Sequence, residues 1–256
     1  LVLALALAGE GRRIVILEAQ DQFPVTRRGE ILQPQGLEML DRLGLLDVIR
    51  KEPCHVNEAF HFHRIGGPRL CTVDYRALGL PYNYCLVNLP SITQAAVLER
   101  LSAVPHVEIR MGCVFEKVIR ERERVTGVRY RRQGELVAVR TPLVVGADGV
   151  HSPVREALRI PARIHVYRDA YLVILAPRPP GFDHDGRYYL GRRQILGLFP
   201  VSDDRLYLFY LVPQKALEHY KARGLPALRE EIAAIDPTMR EPLKQVRSWE
   251  EVATMP

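Results

Sequence analysis

The sequence predicts an α/β protein, a layered α/β unit followed by a sheet-rich unit. Three observations predict it. Helix-spaced and β-branched segments alternate through roughly the first 160 residues. Arg13–Glu18 (RIVILE) is a continuous β-branched run of the kind found in buried parallel strands. Beyond Pro161, long strand-like segments rich in Tyr and Phe dominate. With 256 residues, 47% apolar and 26% charged, the composition excludes disorder, collagen-like repeats and coiled coil.

In order along the chain, Leu1–Ala8 (LVLALALA) reads as a helix closed by Gly9, where a left-handed cap is cheap. Arg13–Glu18 follows as a strand ending in an acid. Gln33–Leu43 carries Leu37, Leu40 and Leu43 at helical spacing. Ala59–Ile65 alternates and turns at Gly66-Gly67-Pro68 into Leu70–Asp74, which predicts a hairpin. Ser91–Val104 reads as an amphipathic helix with Ser91 as N-cap. His106–Arg110, Cys113–Arg120, Val125–Arg132 and Leu136–Arg140 read as short antiparallel strands, and Leu143–Val145 as a buried strand. Arg163–Ala176, Arg187–Leu190, Gln194–Pro200 and Arg205–Val212 complete the strands; Gln214–Ala222 and Ala227–Ala234 look helical. A boundary falls near residue 162, giving domains 1–162 and 163–256. The hairpin within 59–80 is marginal alone and is assigned to either the first domain or the later sheet.

The net charge of +6 suits anionic ligands, but the basic residues are too dispersed to argue for nucleic acid. Cys54, Cys71, Cys85 and Cys113 form no C-x-x-C pair and have no His at zinc spacing, so no metal site is expected and four reduced thiols in a cytoplasmic protein are. Leu1–Ala8 is far too short to span a bilayer. Leu1 is not a natural start, and the chain reads as the interior of a longer protein. His61 and His63 alternate on the hairpin and read as cavity lining or exposed side chains. The Tyr and Phe residues of the second half read as core, with some available to line a pocket for a flat apolar substrate.

Two segments carry chemistry. Helix, strand and terminal acid over Leu1–Glu18 match the latter part of a dinucleotide-binding βαβ unit, in which such an acid bonds a ribose hydroxyl; a solvated Glu on a generic strand explains the segment equally well. Val144–Arg155 (VVGADGVHSPVR) delivers Asp148 at a strand end, with Gly146 and Gly149 permitting a tight turn and Ser152-Pro153 starting a helix. Amides exposed at such a helix start suit a phosphate or ribitol chain.

Gly146–Arg155 resembles the second flavin fingerprint of class A FAD-dependent monooxygenases, the para-hydroxybenzoate hydroxylase-like flavoproteins. Leu1–Glu18 resembles the segment after that family's G-x-G-x-x-G turn. Arg28–Pro34 with the helix ending Leu43-Gly44-Leu45-Leu46, and Gly197–Pro200, resemble later blocks in the expected order. The glycine-rich turn and the Gly-Asp-Ala-Ala-His block do not occur within residues 1–256.

The resemblance implies a Rossmann-like FAD-binding domain with a β-sheet substrate-binding domain. It implies hydroxylation of an aromatic or polyketide-like small molecule with NAD(P)H and O₂ through a flavin C4a-hydroperoxide, and it admits a homodimer. Glu18 would bind the adenosine ribose. Arg28 would reach the pyrophosphate or govern flavin movement. Gly146, Asp148 and Gly149 would meet the ribityl–pyrophosphate part, supported by Ser152 and Arg155, which the resemblance also offers to the nicotinamide cofactor. Ser91 stands where many relatives carry Gln or Arg, and Gln94 is one turn on as a substitute. A catalytic side chain is not assigned. A reductase or dehydrogenase on the same scaffold, for instance acting on isoprenoid double bonds, and a flavin-free fragment remain alternatives.

Overall fold

The computed structural model describes residues 1–23, 30–79 and 81–255. In chain order the elements are α1 (Val2–Ala8), β1 (Ile14–Leu17), β2 (Glu30–Leu32), α2 (Pro34–Arg42), α3 (Leu46–Arg50), β3 (Cys54–Asn57), β4 (Ala59–Arg64), β5 (Arg69–Asp74), β6 (Cys85–Asn88), α4 (Pro90–Ser102), β7 (Val107–Arg110), β8 (Val114–Glu121), β9 (Arg124–Arg132) and β10 (Glu135–Arg140). They continue with α5 (Pro153–Ala157), β11 (Asp169–Pro177), β12 (Gly186–Gly191), β13 (Gln194–Pro200), β14 (Arg205–Pro213), α6 (Leu217–Ile235), α7 (Arg240–Leu243) and β15 (Val252–Met255). Two compact units result, one of residues 1–24 and 97–165, the other of 25–96 and 166–256. The chain thus changes unit at 24/25, 96/97 and 165/166, where the sequence placed a single boundary near 162.

In the first unit β1 pairs in parallel with β7, Ile14 opposite Val107 and Leu17 opposite Arg110. β8, β9 and β10 form an antiparallel meander. The strand at 107–110 therefore belongs with β1 and not with the antiparallel block. α1 ends at Ala8, but Gly9 is right-handed (φ −61°) and the left-handed residue is Gly11 (φ +68°), two positions later than the sequence predicts. His106 Nε2 donates to the Ala8 carbonyl at 2.8 Å and holds the end of this helix. The strand predicted at Leu143–Val145 does not form. Leu143 is 67% and Val145 54% exposed, and no described strand pairs with them. A β-branched run reports a preference for burial, but a strand also needs a neighbour for its amides.

The second unit holds a three-stranded sheet, β2-β6-β3, and a seven-stranded sheet ordered β15-β11-β14-β13-β12-β4-β5. The hairpin β4–β5 lies in the larger sheet because β4 pairs in parallel with β12, Phe60 opposite Gly186 and Phe62 opposite Tyr188. Asp185 secures the entry to this pairing: its Oδ1 accepts from the Glu58 and Ala59 amides at 2.9 and 3.0 Å. The large sheet has two apolar faces, as a strand's two-residue period dictates. Leu172, Ile174, Leu196, Leu198, Leu206 and Leu208 face α6 and α7, whose Leu228, Ile232 and Leu243 are buried against them. Val173, Phe199 and Tyr207 point to the opposite face.

α6 merges the two helices expected at 214–222 and 227–234. Its break is Gly224, at φ 82° and ψ 165°, a conformation that suits glycine and is followed by Pro226. Strand β11 starts only at Asp169, and Ile164 and Val166 before it are exposed. α4 starts at Pro90, so Ser91 lies inside the first turn and is not its N-cap. The polar contact at this end runs from Asn88 Nδ2 to Thr93 Oγ1, 2.9 Å.

Ile232 is fully buried between α6 and the sheet. Ile232→Ala is expected to lower the unfolding free energy by about 2–5 kcal/mol, read as a lower urea midpoint with an unchanged slope. A change below about 1 kcal/mol would contradict the packing described.

Candidate functional site

The turn at Gly146–Arg155 is built by its own side chains. Ser152 caps α5, its Oγ accepting from the Arg155 amide at 3.0 Å and donating to Asp148 Oδ1. Asp148 Oδ2 accepts from the Val154 amide at 3.0 Å. Arg155 Nη2 donates back to the Val150 carbonyl at 2.6 Å. Burial pushes the Asp148 carboxyl up, but bonds from Ser152 and the Val154 amide, with the Arg155 guanidinium nearby, outweigh it and hold the group below the usual range. Gly149 is left-handed at φ +87°, and a Cβ on Gly146 would lie 2.9 Å from Val154 Cγ1. Both glycines are therefore required by the turn itself.

This corrects one expectation. α5 has only five residues, and two of its first amides are already taken by Asp148 and Ser152. They are not open to a phosphate. Both Asp148 oxygens are likewise engaged within the turn.

Glu18 lies at the end of β1. Its Oε1 accepts from the Gln20 amide at 2.9 Å, and among the described residues Oε2 has no hydrogen-bond partner. The Glu18 carbonyl accepts from the Cys113 amide at 2.7 Å, immediately before β8, and α5 packs against β8. Glu18, Gly146, Asp148, Gly149, Ser152 and Arg155 thus belong to one unit, linked through β8. Gln94 is half-buried on α4 and belongs to the other unit. Arg28 falls outside the described residues.

The second unit carries an aromatic surface. Phe62 and Tyr188 stack with centroids 4.8 Å apart at 5°, Tyr188 meets Phe199 edge-on at 4.9 Å, and Phe199 lies 5.5 Å from Phe209. Gly186 and Gly197 make room for these rings. A Cβ at Gly186 would lie 2.6 Å from Phe199 Cδ1, and one at Gly197 2.7 Å from Phe199 Cε2. Phe62, Tyr171, Tyr188 and Phe209 remain half-buried, whereas the α6 face of the same sheet is sealed. Burial raises the Tyr188 phenol above its ordinary pKa, so it stays a neutral donor. Tyr171, Tyr188 and Phe209 were legible only as aromatics at strand spacing; their facing needed the register.

At the rim of this surface is a cluster that the sequence did not flag. Tyr75 Oη donates to Gln33 Oε1 at 2.8 Å, and the Cys85 thiol donates to the same oxygen at 3.3 Å. No local pattern joins these residues, since Gln33 starts α2, Tyr75 follows β5 and Cys85 opens β6. His61 and His63 do not act together. His61 contacts Thr72 Oγ1 at 2.9 Å and Asp185 at 3.7 Å, whereas His63 stacks on Tyr189. No group of three or more metal-ligating side chains occurs among the described residues.

The chemistry of the first unit fits a dinucleotide. Glu18 ends β1 with Oε2 unbonded among the described residues, and the strand–acid–turn arrangement is of the dinucleotide-binding kind. Fold and turn together define an α/β dinucleotide-binding protein. The chain belongs to the FAD binding domain family, which it matches over residues 1–236.

It is similar to 6-methylpretetramide 4-monooxygenase of Streptomyces rimosus, 31% identical over 260 residues that cover 100% of this chain and 61% of that protein. It is also similar to squalene monooxygenase 1,2 of Brassica napus, 31% identical over 159 residues that cover 61% of this chain and 30% of that protein. The crystal structure of PqsL from Pseudomonas aeruginosa in complex with 2-aminobenzoylacetate shares the fold, with a TM-score of 0.84 at 23% identity over 100% of this chain and 70% of that one. The chain spans about six-tenths of the length of the first relative. The flavoprotein family and the α/β class read from the sequence are borne out.

Ser152 is 7% exposed and caps α5. Ser152→Ala is expected to cost about 1 kcal/mol. The sign for Asp148 follows from its lowered pKa: its stabilisation is present in full above the ordinary value of 3.8 and is lost as pH falls through the folded value. Asp148→Asn should therefore flatten the loss of stability below that pH, measured by denaturant titration across the acid range; an unchanged acid limb would contradict the bonding described.

Proposed function

We propose that the chain is the cofactor- and substrate-binding part of an FAD-dependent monooxygenase that hydroxylates a planar aromatic or polyketide-like molecule with NAD(P)H and O₂. The observation that carries this reading is the half-buried aromatic surface of Phe62, Tyr171, Tyr188 and Phe209, laid over Phe60 and Phe199, whose rings Gly186 and Gly197 accommodate. Such a surface takes a flat apolar ring by stacking and excludes water from it. The name of the Streptomyces relative, a 4-monooxygenase of 6-methylpretetramide, supports a hydroxylase reading.

When bound, FAD would supply the redox chemistry between NAD(P)H and O₂. Glu18 would hold the adenosine ribose through its second carboxylate oxygen. The Gly146–Gly149 backbone would approach the ribityl–pyrophosphate portion, with Asp148, Ser152 and Arg155 holding that backbone in shape. Arg28 would contribute a guanidinium to the phosphates. The substrate side needs no protein nucleophile, because the transferred oxygen comes from O₂. Four cysteines without a disulfide suit a reducing compartment, which supports a cytoplasmic location. No described helix is long and apolar enough to cross a membrane.

The test is oxygen consumption by the protein expressed from its complete reading frame and loaded with FAD. The expected result is NAD(P)H-dependent O₂ uptake stimulated by a polycyclic phenol, with one oxygen atom recovered in the product. Reduction of an isoprenoid double bond without O₂ uptake would establish the reductase alternative. Failure to retain FAD would overturn the enzyme reading altogether.

A further inference from the structure

An amide side chain has one acceptor end and one donor end, and what occupies the first decides where the second points. At Gln33 two protons converge on Oε1, from the Tyr75 phenol at 2.8 Å and the Cys85 thiol at 3.3 Å. Burial raises the pKa of both groups, so both stay protonated. The reversed amide would place N–H donors against the phenol oxygen and the thiol, a weak acceptor, and leave the phenol and thiol protons without the oxygen both now use. The orientation is therefore set by chemistry, and Nε2 is turned away from both partners. Gln33 is solvent-facing, and among the described residues Nε2 makes no hydrogen bond.

This donor borders the aromatic surface. The Tyr75 ring meets Phe60 edge-on at 5.7 Å, and Phe60 in turn meets Tyr188 at 6.0 Å. Cys85 is fully buried in the cluster that contains Phe60 and Phe199. Two anchoring bonds remove most of the amide's rotational freedom before any ligand arrives, so a bond to it costs little further ordering.

We propose that Gln33 is a specificity-determining residue, donating Nε2–H to an oxygen acceptor on a planar aromatic substrate lying against Phe62, Tyr188 and Phe209. This rests on the reading of that surface as the substrate site. The acceptor is a carbonyl or phenolic oxygen at the edge of the ring system. Tyr75 and Cys85 are positioning residues, acting through the amide.

The test uses equilibrium dialysis of the FAD-loaded, full-length protein against two probes of similar shape, 1-acetonaphthone, which carries a carbonyl acceptor, and 1-ethylnaphthalene, which carries none. Gln33→Leu is expected to weaken binding of the ketone about fivefold, the worth of one neutral hydrogen bond, while the hydrocarbon changes less than about twofold. Tyr75→Phe leaves the amide on a single weak anchor and should weaken the ketone selectively by a smaller factor. Equal loss for both probes, or no loss for the ketone, would overturn the role of Gln33 while leaving the aromatic surface as a binding site. Failure of the unmodified protein to bind either probe would instead overturn the reading of that surface, and the proposal with it.

Discussion

The parallel pairing of β4 with β12 is the constraint on which the second unit depends. It joins residues near 60 to residues near 188, a closure whose entropy must be offset by the ladder and by what the ladder buries. Asp185 satisfies the two amides that lead into β4, and His55 Nε2 donates to the neighbouring His184 carbonyl at 2.6 Å. Directly beyond, Gly186 lies opposite Phe60 and leaves space for its ring. A side chain at that position would press on Phe60 and Phe199 together. The pairing thus creates the continuous aromatic surface and also brings the hairpin that carries Tyr75 to its edge.

The two faces of the seven-stranded sheet have separate tasks. The α6 side is aliphatic and sealed, and its polar groups are tied off internally. Tyr210 and Tyr220 both donate to Glu231, at 2.6 and 2.8 Å, and Tyr189 donates to the buried Asp236 at 2.8 Å. The opposite face is aromatic and only partly covered. Stacked rings with few charged groups attract flat apolar molecules, and glycine at 186 and 197 lets the Phe60 and Phe199 rings pack against the strands beneath them. In the first unit the division of labour is different: side chains of Asp148, Ser152 and Arg155 are consumed in shaping a backbone turn.

Much of this was legible along the chain. The hairpin at 59–74 was visible as alternation broken by Gly66-Gly67-Pro68, and the start of α5 as Ser152-Pro153, because both signals are local. The β2-β6-β3 sheet was not visible. Its strands have three or four residues, and Cys85–Asn88 is buried at every position, so no period exists to read. Leu143–Val145 shows the converse failure, an apolar run with the composition of a strand and no described partner. Among the candidate site residues, Glu18 and the 146–155 turn could be read because each motif is contiguous. The Gln33, Tyr75 and Cys85 cluster could not, because its three members come from different elements and meet only through the tertiary fold.

The central claim is that the open aromatic face of the large sheet receives a planar substrate. The most direct measurement is NMR of full-length, FAD-loaded protein with selectively labelled Tyr and Phe rings, titrated with a polycyclic phenol. The account predicts shifts at Tyr188, Phe62 and Phe209 that saturate together, with Tyr210 and Tyr220 behind the sheet unmoved. Shifts confined to Tyr210 and Tyr220, or none at Tyr188, would contradict it.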